Sequence, residues 1–249
     1  MKAAFRYGLA GAGGYLLFLA ATAPARLAVS SIPLPPSMAL TAVHGSVWSG
    51  RAVLTATGGQ GTSTLSHLKF HVWPGALLHG HWGYIVQGRG VLAGHASVAV
   101  GARHVELAQA ALRMPAAMLG LLATGLRDAG ATGEIVLRDR DWVGGRGARG
   151  GGVVIWRHAG LASAPVDPLG SYRLSFRMTP AGAAYTIHTI GGKLAVSGRG
   201  HYRQAGGTLS FTGLIAGHGL RLQGFLGAFG SAGPGGARQV HLRLPVAAL

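Results

Sequence analysis

The chain has 249 residues, with 44 glycines, 11% charged residues, no cysteine, and 22 Lys plus Arg against 6 Asp plus Glu, a formal net charge of +16. The length suits one large β domain or two small ones, the glycines follow no triplet period that would mean collagen, and the missing thiols exclude a disulfide framework and a cysteine nucleophile. The positive charge attracts anions, yet it is scattered singly, as at Arg51, Arg89, Arg103, Arg173, Arg177, Arg199, Arg221 and Arg243, so anionic membrane lipids are an expected partner and nucleic acid is not.

Tyr7 to Ala25 carry no charge and are mostly apolar. A helix of that length spans roughly 28 Å, close to the hydrocarbon core of a bilayer. Lys2 and Arg6 precede it and Arg26 follows, which favours a cytoplasmic N-terminus and an exported remainder. A cleaved signal peptide is the rival reading. Its best cleavage signal, Ala21-Thr22-Ala23, is followed by Pro24, which disfavours cutting, so an uncleaved anchor is preferred. Ala4, Gly8 and Ala12 share one face of that helix, a surface on which a second helix can pack closely. Gly and Ala are common in such segments, and that is the plainer explanation.

Pro33, Pro35 and Pro36 mark an extended linker. The layout is therefore a cytoplasmic tip and anchor over 1–26, a linker over 27–38 and an exported β domain over 39–249. Within that domain, period-two alternation dominates. Leu68, Phe70 and Val72 alternate with His67, Lys69 and His71, and Tyr172, Leu174, Phe176 and Met178 with Arg173, Ser175, Arg177 and Thr179. Val240, Leu242 and Leu244 alternate with His241 and Arg243. Further strands are expected around 43–56, 82–88, 91–100, 103–113, 134–138, 153–157, 184–190, 193–198, 207–212 and 219–225. One internal helix is expected, with Pro115 in its first position, Ala116 to Ala123 following and Gly125 ending it. The fold class is thus mostly β: a single transmembrane helix, then an extended, curved antiparallel sheet with one short helix.

His44-Gly45-Ser46-Val47-Trp48-Ser49-Gly50-Arg51 has a looser copy in Asp141-Trp142-Val143-Gly144-Gly145-Arg146. A second tryptophan follows each, Trp73 after 25 residues and Trp156 after 14. Gln87-Gly88-Arg89-Gly90 likewise resembles Ser197-Gly198-Arg199-Gly200. These echoes suggest two related halves, 39–126 and 127–249, although chance similarity in a Gly- and Arg-rich chain competes with duplication. The tryptophans read as core anchors, with Gly45 and Gly50 letting a strand bend around Trp48, or as a docking surface with Pro74 beside Trp73.

Catalytic signals are weak. Asp139 and Asp141 alternate with Arg138 and Arg140 along one strand, which reads as neutralising charge near a turn. His67, His71, His79 and His81 cluster without a carboxylate nearby, so a polar strand face outweighs a metal site. Gly191-Gly192-Lys193 lacks a P-loop's spacing, Gly88 and Gly90 do not open a helix, and no nucleophile elbow occurs. No enzyme activity, cofactor or metal is expected.

The order of these features resembles protein N of the bacterial type II secretion system. The resemblance is carried by the basic N-terminus with one span, Gly45 to Ala52, Trp73-Pro74 followed by Leu77-Leu78 and Gly80, and Pro168-Leu169-Gly170-Ser171-Tyr172. Leu194 to Gly200 and a Gly-rich close complete it. It implies a single-pass inner-membrane protein with a periplasmic β domain. Such a protein supports export of folded proteins across the outer membrane beside other inner-membrane secretion components, and catalyses nothing. The alternative is an envelope lipid-handling protein, in which the alternating apolar side chains line a groove for acyl chains.

Overall fold

The structure, a computed structural model, describes residues 15, 18, 19, 21–29, 34, 37–58, 61–77, 82–100, 104–122, 130–145, 149–203, 205, 207–217, 222, 224, 226, 227, 230–233 and 236–245. Among them fourteen strands form one antiparallel sheet. In chain order these are β1 Met38–Gly45, β2 Ser49–Gly58, β3 Gly61–Val72, β4 Trp82–Gly90, β5 Ala93–Val100, β6 His104–Pro115 and β7 Ala131–Gly145. There follow β8 Arg149–Leu161, β9 Gly170–Thr179, β10 Gly182–Gly192, β11 Leu194–Arg203, β12 Thr208–Gly217, β13 Ser231–Ala232 and β14 Arg238–Pro245. Strands β1 to β12 lie side by side in chain order, β14 pairs with β12, and β13 flanks β14.

Directly opposed residues in an antiparallel pair share a face. Ala52, Leu68, Gly88, Gly94, Leu112, Leu137, Val154, Leu174, Ile187, Gly198, Gly213 and Val240 form one unbroken row of such pairs. Every member is apolar or glycine. One register position away runs His44, Arg51, Lys69, Gln87, His95, Ala111, Arg138, Val153, Ser175, Thr186, Arg199, Thr212 and His241. All but Ala111, Val153 and Ser175 are exposed. The sheet thus has one apolar and one basic, wet face.

The apolar face is inside a curl. Ala116–Met118 form a 3-10 turn that runs into a helical turn at Leu119–Leu122. Met118 packs on Leu54, Ala56 and Leu65 of β2 and β3, and Ala116 packs on Ala131 and Ile135 of β7. Strands β2 and β7 are five steps apart in the sheet order, roughly 24 Å if the sheet were flat. Residues 116–118 bridge only about 6 Å, so the sheet bends around them. Three non-glycine residues with positive φ, Ala42, Gln109 and His158, sit where the register slips in β1, β6 and β8. Such bulges bend a strand and tighten its twist.

Glycines on the inner face make room for rings from neighbouring strands. A Cβ on Gly50 would lie 2.6 Å from the Phe70 ring, on Gly152 2.8 Å from Phe176, and on Gly198 2.6 Å from Phe211. A second insert carries Leu222 and Leu226, which are helical and buried with Leu169 and Leu194. Strands β6 and β12, which lead into the inserts, run in the same direction, so both inserts cover the same end of the curl.

Several expectations change. The run 43–56 is not one strand: β1 and β2 form a hairpin that turns at Ser46 to Trp48. The expected strand over 219–225 is replaced by the helical Leu222, Gly224 and Leu226. Pro115 closes β6 rather than opening a helix, and Ala123 and Gly125 lie outside the described residues. Of the expected span Tyr7 to Ala25, only Tyr15, Phe18, Leu19 and the residues from Ala21 on are described. No helix among the described residues is long and apolar enough to cross a membrane. The linker prolines also lie outside the described residues, and Trp82, which no expectation singled out, opens β4.

If ring-over-glycine packing sets the curl, Gly200 is a sensitive position: it is buried, and a Cβ there would strike the Tyr185 ring and the Ser210 carbonyl oxygen. Gly200→Ala should cost about 1–3 kcal/mol. Gly191→Ala, with nothing within 4 Å of its Cβ, should stay within about 0.5 kcal/mol. Urea unfolding of the chain in neutral detergent separates the two, and equal losses would contradict the packing argument.

Candidate docking site at the Trp48 turn

Gly45 ends β1 with φ +103, and a Cβ there would lie 2.5 Å from the Ser49 carbonyl oxygen and 2.8 Å from Gly50 Cα. Only glycine fits that conformation without strain. The Ser46 amide donates to the Ser49 carbonyl at 2.9 Å. The Ser46 Oγ accepts from the Trp48 and Ser49 amides at 3.3 and 3.4 Å. Serine is suited to this turn because its hydroxyl can accept local backbone N–H groups. The Val72 amide donates to the Trp48 carbonyl at 2.8 Å, which ties the turn to the end of β3.

Three tryptophans gather there. The Trp48 and Trp82 rings lie 5.9 Å apart, tilted by 48°. The Trp73 amide donates to the Gly83 carbonyl at 2.7 Å, and Pro74 starts a helical turn over Pro74–Leu77, a position where its missing N–H costs nothing. Trp73 and Trp82 remain 42% and 47% exposed, more than a core role requires.

The N-terminal segment is fastened to this turn. The Val47 amide donates to the Ala23 carbonyl at 2.8 Å. Pro24 bridges Ser46, and Ala25, the first residue of the short helix Ala25–Val29, is 1% exposed. Upstream, Tyr15, Phe18 and Leu19 are helical and exposed. The Thr22 hydroxyl donates to the Phe18 carbonyl at 2.8 Å.

Gly45, Trp48, Gly50, Trp73 and Pro74 therefore come together, with Trp82 as the member missed. Its position just across the loop from Trp73 was the available signal. Trp142 and Trp156 lie elsewhere. Trp142 is near the end of β7 rather than at the opening of a strand, opposite Leu107. Its row on the inner face runs Val72, Tyr84, Val98, Leu107, Trp142. Trp156 is in β8 by the first insert, where its Nε1–H donates to the Thr132 carbonyl at 2.8 Å. The two Trp-Gly-Arg elements thus occupy different places in the sheet.

The charged candidates also separate. Asp139 is buried opposite Gly152, while Arg138 is exposed; the side chain of Asp141 lies outside the described residues. His67 and His71 are exposed on β3, and His79 and His81 lie outside the described residues. Among the described residues no group of three or more His, Asp and Glu side chains can hold a metal.

Two outcomes test this geometry. Gly45→Val should open the turn and raise hydrogen exchange at the Val47 amide by about tenfold or more, while amides of β9 to β12 keep their protection. A uniform rise across the sheet would contradict a local role. At the other end, the Tyr172 hydroxyl donates to the Leu194 carbonyl at 3.0 Å. Burial pushes its pKa up to about 12 from an ordinary 10.0. The unfolded chain then loses this proton first, so stability is full below pH 10 and falls as pH rises from about 10 towards 12. Tyr172→Phe should cost about 1 kcal/mol at neutral pH and flatten the alkaline decline in melting temperature. An unchanged decline would contradict the assignment.

A family model described as Type II secretion system (T2SS), protein N, matches residues 36–241. No curated protein and no solved structure matches the chain. The matched region takes in the Trp48 turn, Trp73-Pro74, Trp142, Trp156 and nearly the whole sheet. With most of the chain covered, the protein belongs to the type II secretion system protein N family, an accessory component of type II secretion.

Proposed function

We propose that the chain is a non-enzymatic, single-pass inner-membrane component of the type II secretion machinery that supports export of folded proteins across the outer membrane. Residues Tyr7 to Ala25 span the bilayer with the N-terminus in the cytoplasm, residues 27–38 link, and the sheet from residue 39 lies in the periplasm. The observation that carries this reading is the bond from Val47 to Ala23 together with the buried Ala25. It joins the segment that carries the helical, exposed Tyr15, Phe18 and Leu19 to a turn that lies within the family match. Exposed Trp73 and Trp82 stand at that same end, where indole rings suit a membrane interface or a secretion partner. Anionic lipid headgroups are a second partner class, met by the basic face.

Two halves, 39–126 and 127–249, are supported by the strand plan. Six strands lead to the first insert, and six more lead to the second. The divergent placement of Trp48 and Trp142 weighs on the other side.

One observation favours a lipid-handling role within the same envelope setting. Both inserts cover the end of the curl away from the Trp48 turn. At the Trp48 end the inner face presents Phe70, Tyr84, Phe176 and Phe211 as half-buried side chains, an apolar surface that suits an acyl chain.

Secretion of a folded reporter by cells lacking the native chain tests the main reading. Restoring the full chain should recover export. A chain whose Tyr7 to Ala25 segment is replaced by a cleavable signal, releasing the sheet into the periplasm, should leave export several-fold lower. Full recovery by the released sheet would contradict an anchored role.

A further inference from the structure

The basic face is not uniform. Where β1 to β4 meet, a recess of about 240 Å³ is lined by His44, Arg51, His67, Lys69, Gln87 and Arg89, with Ala42 and Val53 beside them. Arg51 stands directly opposite Lys69, and Arg89 directly opposite His67. Like charges facing each other across a strand pair, as Arg51 and Lys69 do, are destabilising. Elsewhere on this face Glu134 bridges Arg113 at 3.1 Å and Arg157 at 3.5 Å. At the recess no carboxylate pairs with Arg51, Lys69 or Arg89 among the described residues.

We propose that this recess is a binding site for a phosphate monoester. Three permanent positive charges from three adjacent strands converge on one concavity. A carboxylate brings a single charge and leaves most of that repulsion in place. A phosphate monoester brings close to two charges and three strong acceptor oxygens. Arginine offers a planar donor fork to such a group and lysine a point charge. The size agrees: pockets that enclose a drug-sized ligand measure roughly 300–1,000 Å³, so this recess takes a headgroup and leaves the rest of the ligand outside. The phosphate comes from a lipid headgroup or from a soluble phosphate. The site draws on the basic face invoked for lipid contact and stands apart from the secretion role and the anchor.

The test uses the full chain in nanodiscs of uncharged phosphatidylcholine, titrated calorimetrically with dihexanoyl phosphatidic acid and with inorganic phosphate. The triple variant Arg51→Gln, Lys69→Gln, Arg89→Gln should bind about tenfold more weakly or worse, a change of about 1.4 kcal/mol. The control Arg173→Gln, Arg177→Gln, Arg199→Gln removes the same net charge from the same face and should change affinity by less than about threefold. All six positions are exposed, and matched unfolding midpoints confirm that both variants fold. Tighter binding of the phosphatidic acid assigns the site to a lipid headgroup, and equal binding assigns it to soluble phosphate. The proposal is overturned if wild type binds neither compound or if both triples weaken alike.

Discussion

A ring packed over a glycine on the next strand is the contact on which the rest of this molecule depends. Phe70 over Gly50, Phe176 over Gly152 and Phe211 over Gly198 let neighbouring strands fold towards one another on the apolar face. A single sheet has no second sheet to cover that face, and exposed apolar rows invite aggregation. Curling inward is the remaining solution. The two inserts then need to cover only one end, because the curl shields much of the rest.

From that curl follows a molecule with two different ends and two different faces. The insert-covered end holds the buried leucines, Met118 and Trp156 with its satisfied indole N–H. The opposite end holds the Trp48 turn, the exposed Trp73 and Trp82, and the exit of the N-terminal segment at Ala23 to Ala25. The outer face carries exposed basic residues, Arg51, Lys69, Arg138 and Arg199 among them. A chain organised in this way presents one end for attachment and one face for anions. Those are properties of a scaffold in an assembly, and they agree with membership of a secretion accessory family.

The strands were legible because alternation is local: Tyr172 to Thr179 declares its two faces without reference to any other strand. The hairpin at Trp48 was not, since Val43 to Ala56 keeps an apolar rhythm through the turn and Gly45-Ser46-Val47-Trp48 lacks the Asn-Gly or Asp-Gly signal of a tight hairpin. The second insert was misread for a related reason. Leu220 and Leu222 alternate with Arg221 and Gln223 as in a strand, while Leu222 and Leu226, four apart, carry the helical spacing that the structure uses. The family was legible from the order of Trp48, Trp73-Pro74 and the later glycine motifs. The recess was hidden, because Arg51, Lys69 and Arg89 become neighbours only through the register of β2, β3 and β4, and register is a property of pairs of strands.

If the sheet is anchored as proposed, with its Trp48 end towards the membrane, each tryptophan sits at a set depth. Single-tryptophan versions of the full chain, reconstituted in vesicles with brominated lipids, read that depth residue by residue. Chains retaining only Trp73 or only Trp82 should be quenched by bromine near the headgroups, and a chain retaining only Trp156 should keep its fluorescence. Quenching of Trp156 equal to that of Trp73 and Trp82, or no quenching of any of the three, would contradict this orientation.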